Sequence, residues 1–356
     1  MRDKLFEPVF ALAGRRYDWA DVVLWARTWG GWADFEAGVR LGLAWVKRAE
    51  DGDEDLSPDE SEVEDAANEF RYDRGLLSAE EMEAWLARCG LSAEAWMASM
   101  RRAVLKRKWS HVAEMIGRDS PVTDEDVAAV LWCDGVCSGE LTRYAREVAG
   151  RAAVCARLRE EDEAFDDAVA PEVRKMFASA PEGMAGTVLD LDPEACREKL
   201  AHLARLEVAL RHFSARALTS RAVHDQLSAH YLDWIRLDCH VVSFPDEQMA
   251  REAVLSVRED GLPLSEVAEL AGATADDARV YLDEAAPSLR EHLLSAAKGD
   301  LVGPVPVDEG FLVVLVRDKV LPTEADPEIR RRIERSAIAR LLVREIDARA
   351  EWLSPI

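Results

Sequence analysis

Two segments of this 356-residue chain have the punctuation of strands, and the remainder has to be fitted around them. In Trp234-Ile-Arg-Leu-Asp-Cys-His-Val-Val-Ser-Phe244, the residues Ile235, Leu237, Cys239 and Val241 alternate with more polar ones. That period of two suits a half-buried strand. Lys298-Gly-Asp-Leu-Val-Gly-Pro-Val-Pro-Val-Asp-Glu-Gly-Phe-Leu-Val-Val-Leu-Val-Arg317 contains the unbroken apolar run Phe311 to Val316, as expected for a strand covered on both faces. A helical segment joins the two. Nearly everything outside Leu227 to Leu321 carries helical spacing and helical caps, so the expected fold is mainly α with one strand-bearing insertion.

The helical part can be followed along the chain. Trp19 to Lys47 reads as helix, broken near Gly30-Gly31. Glu50 to Glu64 is acidic and reads as a solvated loop. Ser78 and Glu81 form a capping box for a helix ending at Gly90, and Ser92 caps another from Ala93 to about Ile116. Thr123 to Asp126 begins a helix punctuated by Gly135 and Gly139 and continued from Leu141 to Glu163. Asp192-Pro193 starts a long helix to about Ala217, and Thr219 caps the next, Arg221 to Tyr231. After a linker at Leu321 to Pro327, Glu328 to Trp352 is a single amphipathic helix. Its stripe of Ile329, Ile333, Ala337, Ile338, Leu341, Leu342 and Ile346 needs a partner surface.

Composition narrows the function classes. A net charge of −24 opposes nucleic acid, whose binders need clustered cations, and opposes an anionic membrane surface. Neither nucleic acid nor membrane is expected as a partner. No apolar run approaches the length of a transmembrane helix. Met1 to Pro8 has acids where a signal core would be apolar, so a cytoplasmic location is expected. The six cysteines are then expected to be reduced. Cys133 and Cys137 are spaced i, i+4, without the further ligands of a zinc set. No cofactor is expected.

The strand-bearing stretch resembles the parvulin-type peptidyl-prolyl isomerases. His240-Val-Val-Ser is similar to the family's opening His-hydrophobic-hydrophobic-Val strand. Met249 to Ala253 and Leu264 to Ala268 match its alanine-bearing helices, and Leu289 to Ala297 matches the helix before Lys298-Gly-Asp-Leu-Val-Gly-Pro-Val305. Gly310-Phe311-Leu312 follows the closing Gly-aromatic-His except at its last position. The wider layout resembles the SurA-type chaperones: a helical N-terminal module (1–226), a parvulin-like domain (227–321) and a C-terminal helix (322–356) returning to the first module. Gly75 to Glu81 and Trp85 to Leu91 are similar to PpiC-related proteins associated with the maturation of ribosomally made peptides.

The chemistry implied by this resemblance is largely absent. Amide rotation has a barrier of ~18–20 kcal/mol, lowered by binding the twisted amide better than either planar form. The family does so with an apolar cup above two histidines and a Cys or Asp from a Gly-rich loop. His240 matches the first histidine, while the second falls on Leu312. The loop is missing, because Ala271 to Arg279 runs straight into Val280-Tyr-Leu. The cup's Met and Phe fall on Ala285 and Leu289. His240 is therefore a catalytic remnant, or a strand histidine in a satisfied hydrogen bond. Ala285, Leu289, Leu294, Phe311 and Leu312 are the residues expected to line or support an apolar peptide cleft.

Nine of the eleven tryptophans lie at or before Trp132. Trp25, Trp29 and Trp32, with Trp19, are candidates for an aromatic peptide-gripping face; the competing reading is that large rings fill a small helical core. The expected activity is that of a peptide-binding chaperone or accessory protein, whose partner is an unfolded or peptide client. A precursor peptide and its modifying enzymes are among the expected partners. The alternatives are an active prolyl isomerase, or a peptide-modifying enzyme with its site in the helical module.

Overall fold

The structure, a computed structural model, describes residues 4–50, 57–109, 122–179, 192–307 and 310–354. The chain divides into two compact units: Met1–Ala215 with Leu341–Ile356, and Arg216–Arg340.

The first unit contains helices α1 (Trp19–Trp29), α2 (Trp32–Glu50), α3 (Glu60–Asp73), α4 (Ala79–Cys89), α5 (Ala93–Lys108), α6 (Asp124–Cys137), α7 (Glu140–Glu161), α8 (Phe165–Ala178) and most of α9 (Pro193–Ala217). Local chemistry sets the helix ends. Ser78 and Glu81 exchange hydrogen bonds as a capping box, and Gly90 closes α4 at φ 66°. Thr123 and Asp126 do the same for α6. Asp18 and Asp21 cap α1 in the same reciprocal way. The expected break near Gly30-Gly31 separates α1 from α2. The expected continuation of α5 to Ile116 lies partly outside the described residues. Gly135 does not punctuate α6 but lies inside it, where a Cβ would be only 2.7 Å from Leu141 Cγ.

The first unit also holds strands that the helical reading missed. β1 (Pro8–Leu12) pairs antiparallel with β2 (Arg15–Asp18) and with β7 (Glu351–Trp352), giving the order β2-β1-β7. Phe10 is completely buried between Tyr17, stacked at 4.5 Å, and Trp352, edge-on at 5.5 Å.

The second unit contains α10 (Ser220–Ala229), β3 (Arg236–Phe244), α11 (Glu247–Glu259), α12 (Leu264–Leu270), β4 (Ala275–Tyr281), α13 (Pro287–Ser295), β5 (Leu301–Val307) and β6 (Gly310–Val320). Its four strands form an antiparallel sheet in the order β4-β3-β6-β5. β4 is also new relative to the sequence reading. The fold is thus mainly α with an α+β region, as expected.

Helix α14 (Pro327–Arg349) serves both units in turn. Ile329 and Ile333 are buried with Val223, Trp234 and Tyr281 of the second unit. In the first unit, Leu342 and Ile346 lie over Gly150, whose absent Cβ would be 3.4–3.5 Å from them. Arg157 binds Glu345 at 2.5 Å and Arg349 binds Glu160 at 2.7 Å. The helix therefore completes the helical unit through its last turns only.

Candidate functional site

The two faces of the four-stranded sheet pack against different helices. One face carries Leu237, Cys239, Val302, Val305, Val314 and Val316 against Leu289 and Leu293 of α13, with Val241, Ala285 and Leu312 half-buried beside them. The other carries Val242, Phe244 and Val313 against α11 and α12, with Phe311 and Leu315 half-buried at its margin. The register fixes this division. Cys239 opposes Val316, Val241 opposes Val314 and Ser243 opposes Leu312, whereas His240 opposes Leu315. Successive side chains alternate between faces, so His240 and Leu312 point to opposite sides of the sheet.

This corrects the reading of His240 as the remnant of a site shared with position 312. Its ring is half-buried, and Nδ1 lies 2.6 Å from Oδ1 of Asp277, its cross-strand neighbour on β4. Asp277 also accepts from Arg317 at 3.1 Å. Asp238, Arg279, Lys298 and Asp318 surround an adjoining cleft of about 550 Å3. Three acids and three bases there offset one another. His240 is satisfied, but at the surface rather than in the core.

The side of the sheet that faces α13 is apolar. Leu312 is half-buried there and packs on the cluster that holds Leu289 and Leu293. The thiol of Cys239, on the same face, is pushed up to about 11 by burial, with Asp238 adding to the shift. Such a buried thiol is a poor nucleophile. Exposed Ser243 is the polar side chain opposite Leu312.

The expected cleft residues do not converge. Ala285, Leu289 and Leu312 belong to the α13 side, Phe311 packs on the α11 and α12 side, and Leu294 is exposed outside both cores. Leu289 is itself buried. A cleft of about 640 Å3 instead runs along β5, lined by Val302, Pro304, Val305 and Leu315, with His292 and Ser295 of α13 and Arg258 of α11. Arg258 donates to the Leu301 carbonyl at 2.9 Å. The Lys298-Gly-Asp-Leu-Val-Gly-Pro-Val segment supplies much of this lining, so the motif carried the signal. His292 and Ser295 complete the lining, and no motif in the sequence singles them out.

Two glycines are required by the backbone beside this cleft. Gly303 has φ 128°, and a Cβ there would stand 2.6 Å from the Leu312 carbonyl oxygen. Gly310 has φ 111°, and a Cβ would run into the Phe244 carbonyl. Both positions therefore demand glycine for conformation and for close backbone approach.

The proposed aromatic face is not a groove. Trp19, Trp25 and Trp32 are 4%, 2% and 2% exposed, while Trp29 is half-buried. Trp19 packs edge-on to Trp132 at 5.2 Å and Trp32 lies beside Phe35 and Tyr144. Trp25 donates to Glu207 at 2.7 Å beneath Arg151. These rings fill the core of the first unit. The six thiols are unbridged and buried. Among the described residues, no three His, Cys, Asp or Glu side chains gather to hold a metal. No helix among them is long and apolar enough to cross a membrane.

No protein-family model and no curated protein matches this chain. Solved structures do. The peptidylprolyl isomerase PrsA of Bacillus anthracis is 16% identical with a TM-score of 0.33, covering 57% of this chain and 96% of its own. PrsA of Bacillus cereus gives 15% and 0.35, covering 64% and 87%. A SurA-like chaperone structure from Campylobacter jejuni, described with the virulence factor PEB4 and the periplasmic protein Cj1289, gives 13% and 0.22, covering 52% and 90%. At these identities and TM-scores the similarities assign no residue a role.

Proposed function

We propose that this protein holds extended apolar peptide segments and does not rotate prolyl bonds at the rate of an active parvulin. The observation that carries the reading is the opposite orientation of His240 and Leu312. The resemblance implies a cup on the α13 side of the sheet, and that side is filled by Leu289, Leu293 and Leu312. A histidine there would need hydrogen-bond partners, whereas leucine adds apolar surface. Nothing on that face would favour the twisted amide over the planar one, as catalysis requires.

The β5 cleft is the proposed peptide site. Half-buried Leu301, Pro304 and Leu315 offer apolar contact, and His292 and Ser295 stand at its rim. Pro304 and Pro306 have no N–H to give to an added strand. Side-chain contact is therefore the grip, rather than extension of the sheet. The proposed client is an unfolded segment or precursor peptide held for its modifying enzymes in the cytoplasm. This finer assignment is supported by the resemblance of Gly75–Glu81 and Trp85–Leu91 to peptide-maturation proteins.

The site is tested by titrating the full chain with apolar peptides flanked by Lys or Arg. Ser295 is exposed at the end of α13, so Ser295→Trp obstructs the cleft without entering the core. Saturable binding lost in that variant supports the assignment. Unchanged binding removes the peptide from β5, and no binding by either protein rejects the holding function.

A further inference from the structure

The first unit contains a cavity of about 470 Å3 where the α1–α2 turn meets α5, α6 and α7. Ligand sites of small molecules commonly occupy roughly 300–1,000 Å3. Phe35, Val39, Met100 and Tyr144 form its apolar wall; Phe35 is half-buried and the other three are buried. Its polar groups are mostly matched to one another. Arg102 grips Asp134 in a buried bidentate pair at 2.6–3.2 Å. Arg143 binds Glu140 at 2.6 Å while lying over the Tyr144 ring. Asp34 is in the first turn of α2, where the helix dipole favours a carboxylate.

Lys106 and Gly38 are left over. Lys106 is exposed at the mouth of the cavity, and among the described residues its ammonium has no hydrogen-bond or ion-pair partner. Gly38 is inside α2, although glycine is a poor helix former. Packing explains neighbouring Gly42, where a Cβ would crowd Arg102 Cβ at 3.3 Å and Lys106 Cδ at 3.4 Å. It does not explain Gly38, where an added Cβ would meet only Lys106 Nζ, at an ordinary 3.5 Å. The missing side chain at 38 keeps space open in front of an unmatched cation.

We propose that this cavity binds a monocarboxylate bearing an apolar tail of side-chain size. The tail lies against the half-buried Phe35 ring in the space left by Gly38, and the carboxylate meets Lys106 at the exposed mouth. A free organic acid and a peptide's C-terminal residue share this chemistry. N-acetyl-phenylalanine serves as probe, with its amide as the uncharged control and an octapeptide ending in phenylalanine as the chain-terminus arm. Calorimetric titration of the full chain should show saturable binding of the acid, about tenfold or more tighter than the amide. Binding of the octapeptide as well assigns the site to chain termini, and its exclusion assigns it to free acids. Lys106→Gln should abolish the preference for acid over amide, and Lys106→Arg should restore it. Gly38→Ala should weaken binding about fivefold or more while raising the thermal midpoint, because alanine favours helix and nothing crowds it. A glycine kept for packing would behave oppositely on alanine substitution, with a lower midpoint. Equal binding of acid and amide, no saturable binding at millimolar probe, or a Gly38→Ala protein of lower midpoint and unchanged affinity overturns the proposal.

Discussion

Leu312, Gly310 and His202 show how much a single residue decides. At Gly310 both the left-handed backbone, φ 111°, and the Phe244 carbonyl exclude a side chain. Gly310→Ala should cost about 1–3 kcal/mol from the backbone alone, with steric displacement added. Gly299 also has positive φ, 92°, but opens to empty space, so Gly299→Ala should cost less. Urea unfolding of the two variants checks the order; equal losses would show that the Phe244 approach is unimportant. His202 makes a pH prediction. Its Nε2 is 3.0 Å from the Tyr17 hydroxyl. Burial, aided by Arg15, Arg205 and Arg159, pushes the ring down to about 3 from the ordinary 6.5. The unfolded chain therefore takes up this proton first as pH falls. The stabilisation is complete above about pH 6.5 and erodes between there and about pH 3, at no more than about 1.4 kcal/mol per pH unit. His202→Gln should flatten the fall in thermal midpoint between pH 7 and pH 5. A variant with the same pH slope as the parent would contradict this.

At the scale of elements, α14 is the most consequential. Its first turns bury Ile329 and Ile333 in the second unit, and its last turns place Leu342 and Ile346 in the first. A chain ending at Arg340 should keep the second unit's core. It would strip the first unit of β7, of the Arg157–Glu345 and Arg349–Glu160 pairs, and of side chains worth ~1.5–3 kcal/mol each when fully buried. Hydrogen exchange should then show lost protection in α7 and β1, with β3 and β6 retained. Equal loss in both regions would disprove this division of the helix. The sequence reading found α14 because its stripe is local, and found β3 and β6 because alternation and an apolar run are local too. It missed β4, whose Asp276 and Asp277 suit an exposed sheet edge rather than a buried strand. It missed β7, two residues long, because its pairing with Phe10 and Ala11 leaves no local pattern. The tryptophan spacing left a gripping face and a filled core both open, and the burial of Trp19, Trp25 and Trp32 decides for the core. The facing of His240 depends on cross-strand register, which a pattern within one strand does not contain.

For the whole molecule, a net charge of −24 favours encounter with peptides carrying Lys or Arg, and this contribution should weaken as salt is raised. Binding is expected in the micromolar range or weaker, about −8 kcal/mol at best. The central proposal is that the second unit holds peptide without rotating prolyl bonds. The most direct measurement follows one proline-containing peptide in two ways with the same full-length sample: its binding, and the cis–trans exchange rate of its prolyl bond. Saturable binding is predicted, with exchange no faster than in buffer and no change on His240→Ala. Prolyl exchange accelerated by the protein and abolished by His240→Ala would contradict the account.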